Sequence, residues 1–251
     1  MEARQYIEPQ SERGGVVIMA SLDVKGALDS AWWPAILKGL RDANCPRKRY
    51  HLTQDYFKER TAIITINSFS MNKNINRGCP QRSCCGPGYW NKQYNPLLNR
   101  NYTIHTNVVA FVDNLIVIIK AESVGEAENI ANVELNKIAA WAKDKKNRFN
   151  EKKSKVMLMT RRKRKEQKVV AIYLNNKPVP QVHRLKYLGI IFESKLTFKR
   201  YINYMADKST KLIFSLSKAT KLNWGLNYKA LKSIYLGGIL PLLLNGAPVS
   251  I

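Results

Sequence analysis

The stretch that decides the fold is VAFVDNLIVI, residues 109–118, in which one carboxylate and one amide separate two apolar, β-branched runs. Two apolar runs of strand length joined by turn-forming residues predict a β-hairpin that is buried on at least one face. Asp113 and Asn114 fit a turn because their side chains bond the local backbone and tolerate left-handed geometry. A hairpin tip also holds carboxylates rigidly, as a phosphoryl-transfer site requires. The stretch alone leaves both interpretations open.

Composition makes the chain globular and strongly basic. Its 251 residues include 42 Lys and Arg against 18 Asp and Glu, a formal net charge of +24. The hydrophobic fraction of 45% predicts a sizeable core in one large domain or two small ones. A charge excess of this size favours a polyanionic partner, most simply nucleic acid, with an anionic membrane surface as the alternative.

The cysteines and the chain ends carry no pattern typical of export. Cys45, Cys79, Cys84 and Cys85 match no zinc-binding spacing, which predicts free thiols in a reducing compartment. The N-terminal MEARQYIEPQSERGG carries acids and lacks the apolar run of a secretory signal. The uncharged segment 233–251 is long enough for a membrane span, but glycine and proline interrupt it, so we predict a packed helix and turn. We expect an intracellular protein of the nucleus or cytoplasm that binds no membrane.

Apolar periodicity predicts strands and helices in alternation, followed by helices alone. Strand patterns lie at 15–22, 155–160, 169–174 and 185–192. One helix carries its apolar face from Trp33 to Leu40, and another begins at Ser123, where Glu126 completes a capping box. The Gly- and Pro-rich segment 76–91 is predicted as a loop. The pattern indicates an α+β body and a small helical unit from about residue 196.

Two further patterns concern nucleic acid. Residues 141–170 hold 13 Lys and Arg but only 3 acids, which favours a nucleic-acid surface over a solvated turn or a nuclear-import signal. Its densest part, the candidate contact to the nucleic-acid backbone, is Arg161, Arg162, Lys163, Arg164 and Lys165. The tryptophans Trp32, Trp33 and Trp141 are predicted as core anchors rather than base-stacking platforms.

Asp23 is the natural partner for Asp113. It ends the apolar run VVIMASL just before a helix, and strand ends are where open sheets present ligands. Two carboxylates on adjacent strand ends can share a pair of divalent ions, and Mg²⁺ suits hard oxygen ligands. Asp29 is a weaker candidate, because it could equally cap the following helix.

Five segments resemble, in order and spacing, the palm motifs of reverse transcriptases, most closely those of the non-LTR retrotransposons of arthropods, the LINE elements of the R1-like and jockey-like groups. They are SLDVKGALDSAWWPAILKGL (21–40), RGCPQRSCCGPGYWN (77–91), AFVDNLIV (110–117), FNEKKSKVMLM (149–159) and LKYLGIIF (185–192). The resemblance implies an N-terminal extension (1–14), a polymerase palm of antiparallel sheet and packed helices (15–193), and helical thumb or connection elements (194–251). Because about 22 residues precede Asp23, it also implies that the fingers are largely missing from this truncated copy.

The resemblance implies a role for individual residues of the catalytic centre. Asp23 and Asp113 would be the metal-binding aspartates for two Mg²⁺ ions, and Asn114 stands in the place of the third acid. Lys155 would be the lysine of the fourth motif, which protonates the leaving pyrophosphate.

Other matched residues would contact the substrates. Leu28 stands where the family usually has Phe as the gate against ribonucleotides. Gln81 would contact the template and the incoming nucleotide, and Arg82 stands where the family has Gly. The implied primer grip is Lys186, Tyr187, Leu188 and Gly189.

The implied activity is RNA-directed DNA synthesis from deoxynucleoside triphosphates on an RNA template and a DNA primer or target. Asn114, Arg82, Leu28 and the missing fingers argue against full activity, because losing one transition-state donor costs roughly 10²–10³ in rate. We therefore predict an impaired or inactive polymerase. The alternative is a non-catalytic, nucleic-acid-binding relic of the element.

Overall fold

A four-stranded antiparallel sheet forms the centre of the fold. The computed structural model describes residues 15–160, 169–195, 198–218 and 225–244. The sheet consists of β1 (Val16–Asp23), β4 (Thr106–Phe111), β5 (Asn114–Ala121) and β6 (Lys155–Thr160), in the order β4-β5-β1-β6. The predicted strands at 15–22 and 155–160 and the predicted hairpin are therefore present, and the mixed α and β architecture is confirmed.

Side chains alternate between two hydrophobic cores because both faces of the central strands are covered. From β1, Ile18 and Leu22 point to one core and Val17 and Met19 to the other. A strand buried on both faces gives a continuous apolar run instead of an alternating pattern, as the sequence of β1 does.

Helices cover the first face of the sheet. They are α1 (Ala27–Ser30), α2 (Trp33–Asp42), α3 (Arg47–Phe57), α4 (Gly86–Leu98) and α5 (Val124–Asp144). At the start of α5 the Ser123 Oγ accepts the Glu126 N–H at 3.2 Å, which confirms the predicted N-cap. Trp33 and Trp141 pack into this core as predicted, whereas Trp32 belongs to neither core of the described residues.

A small hairpin covers the other face. The short strands β7 (Tyr173–Leu174) and β8 (Lys177–Pro178) precede β9 (Arg184–Tyr187) and β10 (Ile190–Glu193), and Leu185 and Phe192 enter the second core. The predicted single strand at 185–192 is wrong, because Leu188 and Gly189 form a turn at φ 48° and 86°. The predicted strand at 169–174 is reduced to its last two residues.

Several elements, α3 among them, have no counterpart in the predictions from sequence. The segment 76–91 is only partly a loop, since α4 begins at Gly86, and its apolar residues Trp90, Tyr94 and Leu97 are buried at helical spacing. A separate hairpin of β2 (Thr61–Ile66) and β3 (Phe69–Asn74) leaves almost every residue exposed.

The described residues after β10 are mainly helical, as predicted. The helices are α6 (Lys199–Lys218), α7 (Tyr228–Ile234), a π-helical turn (Tyr235–Ile239) and α8 (Leu240–Leu244). Within the four described ranges, no helix combines the length and the apolar character needed to cross a membrane. Residues 245–251 of the uncharged segment lie outside the described residues.

The cysteines provide a test of the packing. Cys79 is buried, and burial raises the pKa of its thiol to about 11, whereas Cys84 is exposed. We expect iodoacetamide to label Cys84 in the native protein and Cys79 only after unfolding in urea, as followed by peptide mass spectrometry. Rapid labelling of Cys79 in the native protein would contradict this packing.

The same thiol predicts a pH dependence of stability. The unfolded chain loses the Cys79 proton from about pH 9, but the folded chain keeps it until about pH 11. The free energy of unfolding should therefore fall as the pH rises through this interval. In a Cys79→Ala variant, urea unfolding should show a shallower fall over the same interval.

Candidate active site

Two carboxylates from distant parts of the sequence line one cavity at the end of the sheet. Asp23 is the last residue of β1, and Asp113 lies in the turn between β4 and β5. The cavity has a volume of about 270 Å³, and Leu28 and Gln81 contribute to the same lining. The structure thus brings together four residues that the sequence analysis assigned to one site.

Backbone hydrogen bonds fix Asp23 against the segment before β6. The Asp23 N–H donates to Ser154 Oγ at 3.3 Å, and the Asp23 carbonyl accepts the Asn150 N–H at 2.8 Å. The Ser154 hydroxyl is buried and donates to the Asn150 carbonyl at 2.9 Å. Because this segment is tied to the end of β1, Asn150 and Lys153 also line the cavity.

The turn that carries Asp113 lies one residue earlier than predicted. Val112 and Asp113 form it, while Asn114 is the first residue of β5 and pairs with Phe111 and, on the other side, with Asp23. Val112 has φ 55°, a left-handed conformation that β-branched residues rarely adopt. The prediction of an Asp113–Asn114 turn is wrong because pairing with β1 draws Asn114 into the strand.

Two hydrogen bonds hold this strained turn. The buried Trp90 donates from Nε1 to the Val112 carbonyl at 2.7 Å, and its ring stacks on Tyr94 at 4.9 Å. The Val24 N–H donates to the Asp113 carbonyl at 3.1 Å. The sequence predictions do not include Trp90, although the apolar spacing of Trp90, Tyr94 and Leu97 is that of a helix face.

Asn114 contributes a hydrogen bond where an acid would contribute charge. Its Nδ2 donates to Asp113 Oδ1 at 3.3 Å, and Asn114 does not line the cavity. An aspartate at this position could not donate, and would place a like charge beside Asp113. With Asn114, the site carries one negative charge fewer than an aspartate would give, so its attraction for a cation is weaker.

Asp29 and Gln81 form a second polar contact in the cavity. Gln81 Nε2 donates to both carboxylate oxygens of Asp29, at 3.2 and 3.3 Å. The alternative of Asp29 as the cap of the following helix is wrong, because Asp29 is the third residue of α1 and Trp32 occupies the cap position of α2. Arg82 follows outside the cavity lining with φ 64°, a conformation that favours glycine.

The remaining predicted residues lie elsewhere. Lys155 is on β6 opposite Ser21 and outside the cavity lining, whereas Lys153 is part of it. The two lysines are two residues apart, and nothing in the sequence pattern distinguishes them.

The predicted primer grip is the β9–β10 hairpin. Lys186 Nζ lies 5.9 Å from the centre of the Tyr204 ring of α6, and burial raises the pKa of Tyr187. Leu188 and Gly189 form its turn. The basic run from Arg161 to Lys165 falls outside the described residues.

The donor set of the cavity fits a hard divalent cation only in part. No cluster of three or more His, Cys, Asp or Glu side chains suited to a metal occurs in the described part of the chain. Mg²⁺ nevertheless needs few protein ligands, because it keeps several waters and shares substrate phosphates. Asp23 and Asp113 could hold such an ion between them.

The strained turn can be tested directly. A Val112→Gly variant should be more stable by up to about 1 kcal/mol, because glycine removes the left-handed strain at a side chain that is 49% exposed. Val108→Gly, in the neighbouring strand, should instead lose at least about 1 kcal/mol. Urea unfolding measures both, and an equal loss in the two variants would contradict the strain at Val112.

The known proteins similar to this chain are reverse transcriptases or proteins of retrotransposable elements. Residues 2–192 match the family described as reverse transcriptase (RNA-dependent DNA polymerase). The chain is 27% identical to a putative 115 kDa protein in the type-1 retrotransposable element R1DM of Drosophila melanogaster, over 93% of this chain and 22% of that protein. It is 27% identical to the Pol polyprotein from type-1 element R1 of Bradysia coprophila, over 93% of this chain and 23% of the relative.

A more distant relative and a solved structure extend the comparison. The RNA-directed DNA polymerase from mobile element jockey of Drosophila melanogaster is 24% identical over 86% of this chain and 24% of its own length. The chain thus spans less than a quarter of these curated relatives. The structure of apo telomerase from Candida tropicalis, truncated from its C-terminal domain, superposes with a TM-score of 0.54 at 10% identity, covering 76% of this chain and 36% of that one.

Proposed function

The chain belongs to the reverse transcriptase family, as a domain of the non-LTR retrotransposon type, and we propose that its cavity is an impaired nucleotidyl-transfer site. The observation that carries the proposal is that Asp23 and Asp113, from β1 and the β4–β5 turn, line one cavity. The proposed substrates are an RNA template, a DNA primer or target, and deoxynucleoside triphosphates. The proposed units are a palm at 15–193 and a thumb at 194–251.

The proposed reaction joins the primer to the incoming nucleotide. The primer 3′-hydroxyl gives up its proton to solvent water and its oxygen bonds to the α-phosphorus, while the bond from that phosphorus to the oxygen bridging to the β-phosphorus breaks and pyrophosphate leaves. Asp23 and Asp113 would hold the divalent ions, proposed as two Mg²⁺, which when bound acidify the hydroxyl and neutralise the leaving group.

The other lining residues have proposed roles in binding and proton transfer. Leu28 would lie beside the sugar, and Gln81, steadied by its contact to Asp29, beside the base pair. Lys153 is better located than Lys155 to give a proton to the leaving pyrophosphate, because it lines the cavity.

Three features support impairment. Asn114 supplies no negative charge next to Asp113, to which it donates a hydrogen bond. Arg82 has the left-handed backbone that favours glycine and adds a bulky cation beside Gln81. Leu28 lacks the flat ring of the implied sugar gate. The competing proposal is a relic that binds nucleic acid through its basic surface without catalysis.

Primer extension on an RNA template with Mg²⁺ or Mn²⁺ tests the proposal. We expect the native chain to be weak, Asn114→Asp to extend the primer roughly 10²-fold faster, and the triple variant Leu28→Phe, Arg82→Gly, Asn114→Asp to be faster still. Adding Asp23→Ala to any of these forms should abolish extension.

The possible outcomes separate the two proposals. Extension by the native chain that equals that of Asn114→Asp, and that Asp23→Ala abolishes, would contradict impairment. If no form extends the primer, and salt-dependent nucleic-acid binding persists in Asp23→Ala, the relic is favoured.

The two lysines give a matched comparison. In the Asn114→Asp background, Lys153→Ala should slow single-turnover extension by about 10²-fold or more, and Lys155→Ala by much less, because only Lys153 lines the cavity. The reverse order would return the proton-donor role to Lys155.

A further inference from the structure

Two larger cavities continue from the proposed active site, each sharing lining residues with the one before it. A basic cavity of about 600 Å³ shares Lys25 with the active-site cavity. An aromatic cavity of about 830 Å³ shares Arg77 and Lys146 with the basic one. The three cavities therefore form a continuous series from Asp23 towards Trp32.

The basic cavity carries an unbalanced positive charge. Its only acidic lining residue, among those described, is Glu151, which accepts from Asn175 Nδ2 at 3.1 Å and lies 3.9 Å from Lys177. No ion pair to a described carboxylate is formed by the other five basic side chains, which are Lys25, Arg77, Lys143, Lys146 and Arg148. Like charges gathered in one concave surface favour a polyanion, which releases bound counterions when it docks.

A buried amide in the wall of the basic cavity has one unsatisfied donor. Asn147 is 3% exposed, and its Oδ1 accepts from Gln93 Nε2 at 3.0 Å and from Ser30 Oγ at 3.4 Å. These two donors fix the orientation of the amide. Its Nδ2 is buried and has no hydrogen-bond acceptor among the described residues. A buried donor without an acceptor is rare in proteins, and this one belongs to a residue of the basic cavity wall.

The two neighbouring tryptophans differ in a way that suits one of them to ligand binding. Trp33 stacks on Phe57 at 5.1 Å and donates from Nε1 to the Gly78 carbonyl at 2.8 Å, so it is fixed in the core. Trp32 lines the aromatic cavity, is partly exposed, and has Lys146 Nζ 5.9 Å from its ring centre. No aromatic ring among the described residues stacks on Trp32.

We propose that the basic cavity and Trp32 bind a single-stranded segment of nucleic acid beside the active-site cavity. Phosphates lie against the basic side chains, and one base stacks on Trp32. Single-strand-binding proteins combine these two features, a cationic groove along the backbone and aromatic platforms for the bases. The inference deepens the proposed function by adding a path for a strand outside the catalytic centre, and rests on that function for its polynucleotide ligand.

Fluorescence anisotropy of a labelled single-stranded oligonucleotide of about ten nucleotides tests the stacking contact on the full chain. Trp32→Leu should weaken binding by on the order of tenfold, and Trp32→Phe should bind close to the native level because it keeps an aromatic face. Equal binding by Trp32→Leu and the native chain would overturn the role of Trp32.

The salt dependence tests the phosphate contacts. Lys143→Gln with Arg148→Gln should reduce the slope of log K against log salt by about 1.4, the value for two single-strand phosphates. The matched control, Lys48→Gln with Lys73→Gln, removes the same charge from exposed positions outside the three cavities and should leave the slope unchanged. Equal reductions would show general charge attraction and overturn the site.

Competition separates the strand from a free phosphate ligand. We expect the oligonucleotide to bind far more tightly than inorganic tripolyphosphate. Equal competition by tripolyphosphate, without any effect of Trp32→Leu, would overturn the proposal in favour of a free polyphosphate. Because binding is measured without catalysis, an Asp23→Ala chain should bind like the native one even if no form of the protein extends a primer.

Discussion

The hydrogen bond from Trp90 Nε1 to the Val112 carbonyl, at 2.7 Å, is the constraint on which the proposed site depends. It links the buried face of α4 to the β4–β5 turn, in which the β-branched Val112 has a φ of 55°. Together with the bond from the Val24 N–H to the Asp113 carbonyl, it holds the turn between a helix and the central strand. A left-handed valine persists only where its surroundings determine the backbone, and here they bring Asp113 to the cavity that Asp23 lines.

The charge around this turn changes with distance from it. At the turn, two carboxylates face an amide that donates to one of them, so the negative charge is lower than three acids would give. Lys25 and Lys153 line the same cavity, and Lys25 also belongs to the larger basic cavity beyond it. We propose that Asn114, in the place of an acid, weakens metal binding and leaves phosphate binding unchanged. Nucleic-acid binding could then outlast catalysis in this chain.

Strong local sequence patterns predicted the central strands and the start of α5. Features that depend on tertiary contacts could not be predicted in this way. Continuous apolar runs gave β1 and β5 because both faces of those strands are buried, and the Ser123 cap gave the start of α5. The helix at Gly86 was missed because glycine and proline dominate its first turn, although Ser83 Oγ accepts the Gly86 N–H there. Asp23 and Asp113 could be predicted as site residues because both lie at strand ends. The register of the turn and the position of Lys153 in the cavity lining depend on hydrogen bonds between residues far apart in sequence.

Isothermal titration with Mn²⁺ tests the central claim, that Asp23 and Asp113 form a metal site weakened by Asn114. We predict weak binding by the native chain, a gain on the order of tenfold in Asn114→Asp, and loss of binding in Asp23→Asn. Equal affinity of the native chain and Asn114→Asp would contradict the claim, as would Mn²⁺ binding that is unaffected by Asp23→Asn.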